Sequence, residues 1–132
     1  MHDSLIIGVR AEPGYAIITA AGEIDIFTVA RLREELFTLA GDGRPLIADL
    51  DRVTFLGAAG LGALAGAARR AARGASLHVV CGRPQTRQLL QLTGLDRTLR
   101  LARTRAEAIQ ALPARPPRPV PAPIGGDDDD DD

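Results

Sequence analysis

Two histidines, one cysteine and a cluster of glycines are the residues of this 132-residue chain whose types could support chemistry. A metal site needs nitrogen or sulfur ligands at short, fixed spacings, so that one turn or helix face can present two of them. His2 stands at the start, His78 lies within the apolar run LHVV, and Cys81 has no second cysteine, so no such pair exists. Cys81 cannot form an internal disulfide, and its surroundings, LHVVCG, read as those of a buried structural thiol. Gly57, Gly60 and Gly62 have the look of a phosphate-binding loop, yet no Lys-Ser or Lys-Thr pair follows to reach phosphate and magnesium. They read instead as glycines of a closely packed helix. No catalytic residue, metal ligand or cofactor is expected.

The chain suits one domain with a single core and excludes a multidomain enzyme. Hydrophobic residues make up 45% and charged residues 25%, as in a globular protein able to offset its conformational entropy by burial. No apolar run approaches the length of a membrane-spanning helix, and the start, MHDSLIIGVR, lacks a basic region followed by an apolar stretch. A cytoplasmic protein without membrane insertion is the expectation. Aromatic residues are only 3%, leaving few platforms for stacking bases, and the arginines are scattered over several segments. Direct nucleic-acid binding is therefore not expected. The net charge of −1 conceals a mildly basic body and a final run of six aspartates.

The elements that position these residues can be read from the apolar period. Residues 5–11 and 15–21 are β-type runs joined through Glu12, Pro13 and Gly14, which suit a hairpin turn. Val29, Leu32, Leu36 and Leu39 then recur at steps of three and four, an amphipathic helix that Asp25 or Thr28 could cap and that Gly41, Gly43 and Pro45 end. Residues 46–50 predict a strand, 51–56 a connection, and the alanine- and glycine-rich stretch to Arg73 a helix buried along Leu61, Leu64, Ala65, Ala68 and Ala72. Residues 77–80 predict another strand, 84–93 a helix opened by Pro84 and closed by Gly94, and 99–101 a last short strand. Thr104 and Glu107 form the pattern of a capping box before a fourth helix. The expected fold is α/β, a mixed sheet of about four to five strands covered by about four helices, over residues 1–112. Residues 113–132, proline-rich and then polyaspartate, are expected to form a disordered, solvated tail.

Three segments, GEIDIFTVARLREEL at 22–36, LIADLDRVTFLGAAGLGAL at 46–64 and LLQLTGLDRTL at 89–99, stand in the order found in STAS domains. The likeness covers roughly residues 5–112 and resembles in particular the antagonists of anti-sigma factors. That resemblance implies a STAS-like sheet and a protein that binds an anti-sigma factor of the ATPase-kinase type and frees a sigma factor. In such antagonists the loop before the second helix reads Asp-Ser-Ser-Gly or similar, and its first serine is phosphorylated by the kinase. The matching residues are Gly57, Ala58, Ala59 and Gly60, so the phosphoacceptor position falls on Ala58, which has no hydroxyl. The resemblance implies partner contacts at these four residues and at Asp25, the acidic residue of the neighbouring turn.

The alanines admit three readings: an antagonist that is permanently competent to bind, a domain that has lost regulation or taken another partner, and removal of the acceptor by design. A STAS subunit or scaffold of a membrane-transport or stress-signalling complex is the alternative function. The sequence leaves the oligomeric state open.

Overall fold

The computed structural model describes residues 4–71 and 76–112. Strand β1 (Leu5–Glu12) turns at Pro13-Gly14 into β2 (Tyr15–Ile24). Proline holds its φ near −65° and Gly14 takes φ +89°, the positive value such a turn demands. Helix α1 (Val29–Ala40), strand β3 (Leu46–Leu56), helix α2 (Ala58–Ala71), strand β4 (Leu77–Val80), helix α3 (Pro84–Leu92), a short 3-10 turn (Leu95–Arg97), strand β5 (Arg100–Ala102) and helix α4 (Arg105–Gln110) follow. The five strands lie side by side in chain order, with β1 antiparallel to β2 and every later neighbour parallel.

That order decides where the helices go. Parallel strands must be joined by crossovers, crossovers are right-handed, and three successive steps in one direction place their helices on one face. The main core accordingly lies between the sheet and α1 to α3, with Leu32, Leu36, Leu46, Leu50, Leu64, Leu77 and Leu90 almost wholly enclosed. A smaller cluster of Ile17, Ile47, Val80, Ala102 and Ala108 lies on the opposite face under α4. The capping box expected at α4 is present in part: the Thr104 hydroxyl accepts from Glu107 N at 3.1 Å, but the Glu107 carboxylate accepts from Arg103 N, one residue before the capping position, rather than from Thr104 N.

Three expectations are corrected. Residues 51–56 are not a connection but the second half of β3, and β2 extends three residues beyond 21. The cause is two bulges. Thr19 pairs with Asp49 but Ala21 with Arg52, and Gly22 pairs with Val53 but Glu23 with Phe55, so β3 carries an extra residue in each interval. Leu50, Val53 and Leu56, three residues apart, thus all face the main core, where a regular strand would alternate. The Asp49 carboxylate, almost buried, accepts from Asp51 N at 3.0 Å within the first bulge and pairs with Arg105 at 2.9 Å, tying β3 to α4.

The buried stripe of α2 is the second correction: it consists of Gly60, Ala63, Leu64, Gly66, Ala67, Ala68 and Ala71, whereas Leu61 and Ala65 are half-buried. Glycine turns this face inward, because a Cβ on Gly66 would stand 2.7 Å from the Phe37 ring and one on Gly60 2.5 Å from Leu56 Cδ1. Ala72 lies outside the described residues, as does the tail 113–132. Third, the last strand is Arg100–Ala102, one residue later than expected, because the 3-10 turn occupies Leu95–Arg97.

Candidate functional site

The five residues singled out from the sequence come together at one end of the sheet, where β2 and β3 leave it. Gly57 N donates to the Ile24 carbonyl at 2.9 Å, which ties the loop after β3 to the residue before Asp25. The Gly57 carbonyl then accepts from Gly60 N and Leu61 N and opens α2. Gly57 and Ala59 are half-buried and Ala58 is exposed. Gly60 faces inward, where a Cβ would stand 2.7 Å from Ile24 Cγ2, so its part is to bring α2 close to β2.

The turn from β2 into α1 is built by two side chains. Asp25 Oδ1 accepts from Phe27 N at 2.9 Å and from Thr28 N at 3.1 Å. Thr28 Oγ1 donates to the Glu23 carbonyl at 2.8 Å and accepts from Asp25 N at 3.0 Å. Thr28 occupies the position before α1 and makes no side-chain cap to the helix, whereas Asp25 caps the turn that leads into it, its carboxylate taking the N–H groups two and three residues on and its carbonyl accepting from Val29 N at 2.9 Å. This Asp-x-x-Thr spacing is the signal by which Thr28 is found. Ile26, Phe27 and Phe55, which the sequence reading passed over, are exposed at the same end.

This end carries the carboxylates of Glu23 and Asp25, whereas the start of α2 is uncharged. The first turn of α2 holds no acidic residue to balance the partial positive charge of its N-terminus, and Ala58 offers only a methyl group there. The arrangement can present a surface to a partner; it brings no nucleophile, base or ligand pair to a cleft. Among the described residues, no group of three or more His, Cys, Asp or Glu is placed to hold a metal ion. No helix among them is long and apolar enough to cross a membrane.

Cys81 is buried and without a disulfide partner. His78 is buried in β4, and its Nε2 shares a hydrogen bond with the Ser76 hydroxyl at 2.7 Å. Burial, and then the charge of Arg100, lower its pKa below the ordinary histidine value. The unfolded chain therefore binds a proton at a higher pH than the folded one. The stability conferred by neutral His78 is fully present above the unfolded value of about 6.5 and falls as pH drops from there toward the lower folded value. Chemical denaturation should show stability declining from pH 7.5 to 5.5, and His78→Val should flatten that slope.

The comparisons agree with this geometry. The STAS domain model matches residues 7–108. The chain is 35% identical over 111 residues to the anti-sigma-F factor antagonist RsfB of Mycobacterium tuberculosis, covering 83% of this chain and 91% of that one. It superposes with a TM-score of 0.77 and 34% identity on the crystal structure of an anti-sigma factor antagonist from Mycobacterium paratuberculosis, covering 83% of this chain and 95% of the other. The fold is shared with the phosphorylated form of the Bacillus cell fate determinant SpoIIAA, at TM-score 0.60 and 23% identity over 81% of this chain and 97% of the other. With a five-stranded mixed sheet and four α-helices among its described residues and a family match over most of its length, the chain belongs to the STAS domain family.

Proposed function

We propose that this protein is an anti-sigma factor antagonist: it binds an anti-sigma factor of the ATPase-kinase type and so frees a sigma factor. The observation that carries the reading is the 35% identity to a curated anti-sigma-F factor antagonist across 83% of the chain. The contact lies at the start of α2 and the β2–α1 turn, with Asp25, Gly57, Ala58 and Ala59 at or near the surface and Gly60 setting the approach of the helix. The antagonist works without a serine switch. Transfer of phosphate from ATP requires a hydroxyl oxygen, and residues 57–60 carry none. The hydroxyls close to the loop are Thr28, which is buried and engaged with Glu23, and Thr54, which is exposed and donates to the Gly22 carbonyl at 3.2 Å.

Titration calorimetry against the anti-sigma factors of the source organism should give a dissociation constant of about 1 μM or tighter, about −8 kcal/mol. After incubation of the complex with ATP, intact mass should be unchanged. Absence of binding overturns the antagonist reading and favours a STAS subunit or scaffold. Binding accompanied by phosphate on Thr54 overturns only the absence of a switch.

A further inference from the structure

We infer that Ile26, Phe27 and Phe55 form the apolar centre of a protein-docking surface, and that its occupant is the anti-sigma factor of the function proposed above, on which this assignment rests, bound through an uncharged face with a basic group at the edge. Ile26 is 72% exposed, Phe27 77% and Phe55 52%, and they stand at the end of one pair of strands. Glu23 pairs with Phe55 and Ile24 with Leu56, so the residues that follow β2 emerge beside those that end β3. Large apolar side chains left in water singly need no explanation, but a contiguous group does. Leu92 and Ile109 are also exposed, at 78% and 40%, but they stand apart from this end, on α3 and α4, whereas Ile6, 73% exposed, pairs with Ala21 near the same end.

Charge sets the patch off from the rest of the surface. A quarter of the chain is charged, yet residues 53–68 contain no charged residue and residues 24–30 only Asp25. Interface centres are depleted of charge and enriched in aromatics, whereas free surface is not. Glu23, paired with Phe55 at the end of β2, and Asp25, in the turn beside Ile26, are both negative, which calls for a lysine or arginine on the partner opposite them.

The patch is also ordered in advance. The Asp25 and Thr28 hydrogen bonds fix the turn from which Ile26 and Phe27 project. The Phe55 ring lies against the loop where Gly57 has no side chain; a Cβ there would stand 3.0 Å from Phe55 Cε2. A partner therefore meets side chains already aimed outward and loses little entropy in ordering them. Ala58, exposed at the start of α2, follows directly on Gly57, against which the Phe55 ring lies.

The test compares Phe27→Asp and Phe55→Asp with Leu92→Asp and Ile109→Asp as exposed-apolar controls. Each is titrated against the anti-sigma factors of the source organism and against the anti-sigma-F factor of Mycobacterium tuberculosis. The first pair should weaken binding by about 50-fold or more, as expected for aromatic anchors replaced by a charge, and the controls by less than about threefold. Raising salt from about 0.05 to 0.5 M should weaken wild-type binding only modestly, by the part that Glu23 and Asp25 contribute at the edge, because screening acts on charges and the centre has none. Ile26→Ser and Phe27→Ser, which introduce no charge, serve as the second set should an aspartate variant fail to fold. If wild type binds but neither set weakens the complex, the patch is not the interface and the antagonist reading stands. If wild type binds none of these proteins, the antagonist reading fails and this assignment with it.

Discussion

Replacing Ala58 with glutamate should abolish partner binding at micromolar concentrations while leaving the fold intact or slightly more stable. Ala58 is exposed at the first turn of a fourteen-residue helix that has no acidic residue there. A carboxylate at that point interacts favourably with the partial positive charge of the helix N-terminus, by about 0.3 to 1 kcal/mol. Within a complex the same carboxylate must shed water against an apolar surface, and a buried charge without a partner costs about 3 to 5 kcal/mol. The second effect exceeds the first, so affinity should fall by about 100-fold or more. The opposed signs make the result specific: calorimetry should show lost binding while thermal melting shows an unchanged or higher midpoint. A variant that lost both would indicate damage to the fold, and one that kept full affinity would place the start of α2 outside the interface.

Gly22→Ala should be the most damaging small substitution in the described part of the chain. Gly22 lies inside β2 at φ +117°, a conformation that side-chain-bearing residues rarely adopt, and an added Cβ would stand 1.8 Å from the Ser4 carbonyl oxygen. That oxygen accepts from Glu23 N at 3.2 Å, so it cannot move away without opening the end of the hairpin. Backbone strain of about 1 to 3 kcal/mol and a steric overlap of similar cost should together lower stability by about 3 kcal/mol or more. For a domain of this size the melting midpoint should drop by roughly 12 °C or more. Gly62→Ala is the matched control: nothing lies within 4 Å of its added Cβ, and it sits in α2. Alanine there should raise stability by about 0.8 to 1 kcal/mol, the difference in helix propensity. If Gly22→Ala melts like wild type, the hairpin end is far more pliant than its hydrogen bond suggests.

The parts of the fold that could be read from residues alone are those where apolar side chains are large and regularly spaced. Val29, Leu32 and Leu36 mark α1 because only one face of a helix buries all three. Thr104 and Glu107 mark the start of α4 because few other roles need that pair at that spacing. The second half of β3 was concealed by its bulges: Leu50, Val53 and Leu56 repeat every third residue, a spacing that belongs to neither a regular strand nor its turn. The buried face of α2 was concealed for a different reason. It is made largely of alanine and glycine, whose small surfaces give a weak periodic signal, and it is set by what Phe37, Ile24 and Leu56 leave room for.

The candidate site shows the same division. The loop at 57–60 and Asp25 were recognisable from the order and content of three segments, and the structure brings them to one end. The outward direction of Ile26, Phe27 and Phe55 was not recognisable, because apolar character alone does not say whether a side chain points to the core or to water. It follows from the turn held by Asp25 and Thr28 and from the bulge that precedes Phe55.

The strand order β1-β2-β3-β4-β5 has a consequence for how the chain reaches this structure. Every strand lies beside the one made just before it, so no pairing must wait for a distant segment, and loop closure is cheap at each step. Such a topology has a low contact order for a mostly parallel sheet and should fold fast for its class. It also suits growth from the N-terminus at the ribosome, since each helix and strand pair can dock on a sheet already present. The antiparallel hairpin of β1 and β2 is then the platform on which the rest assembles.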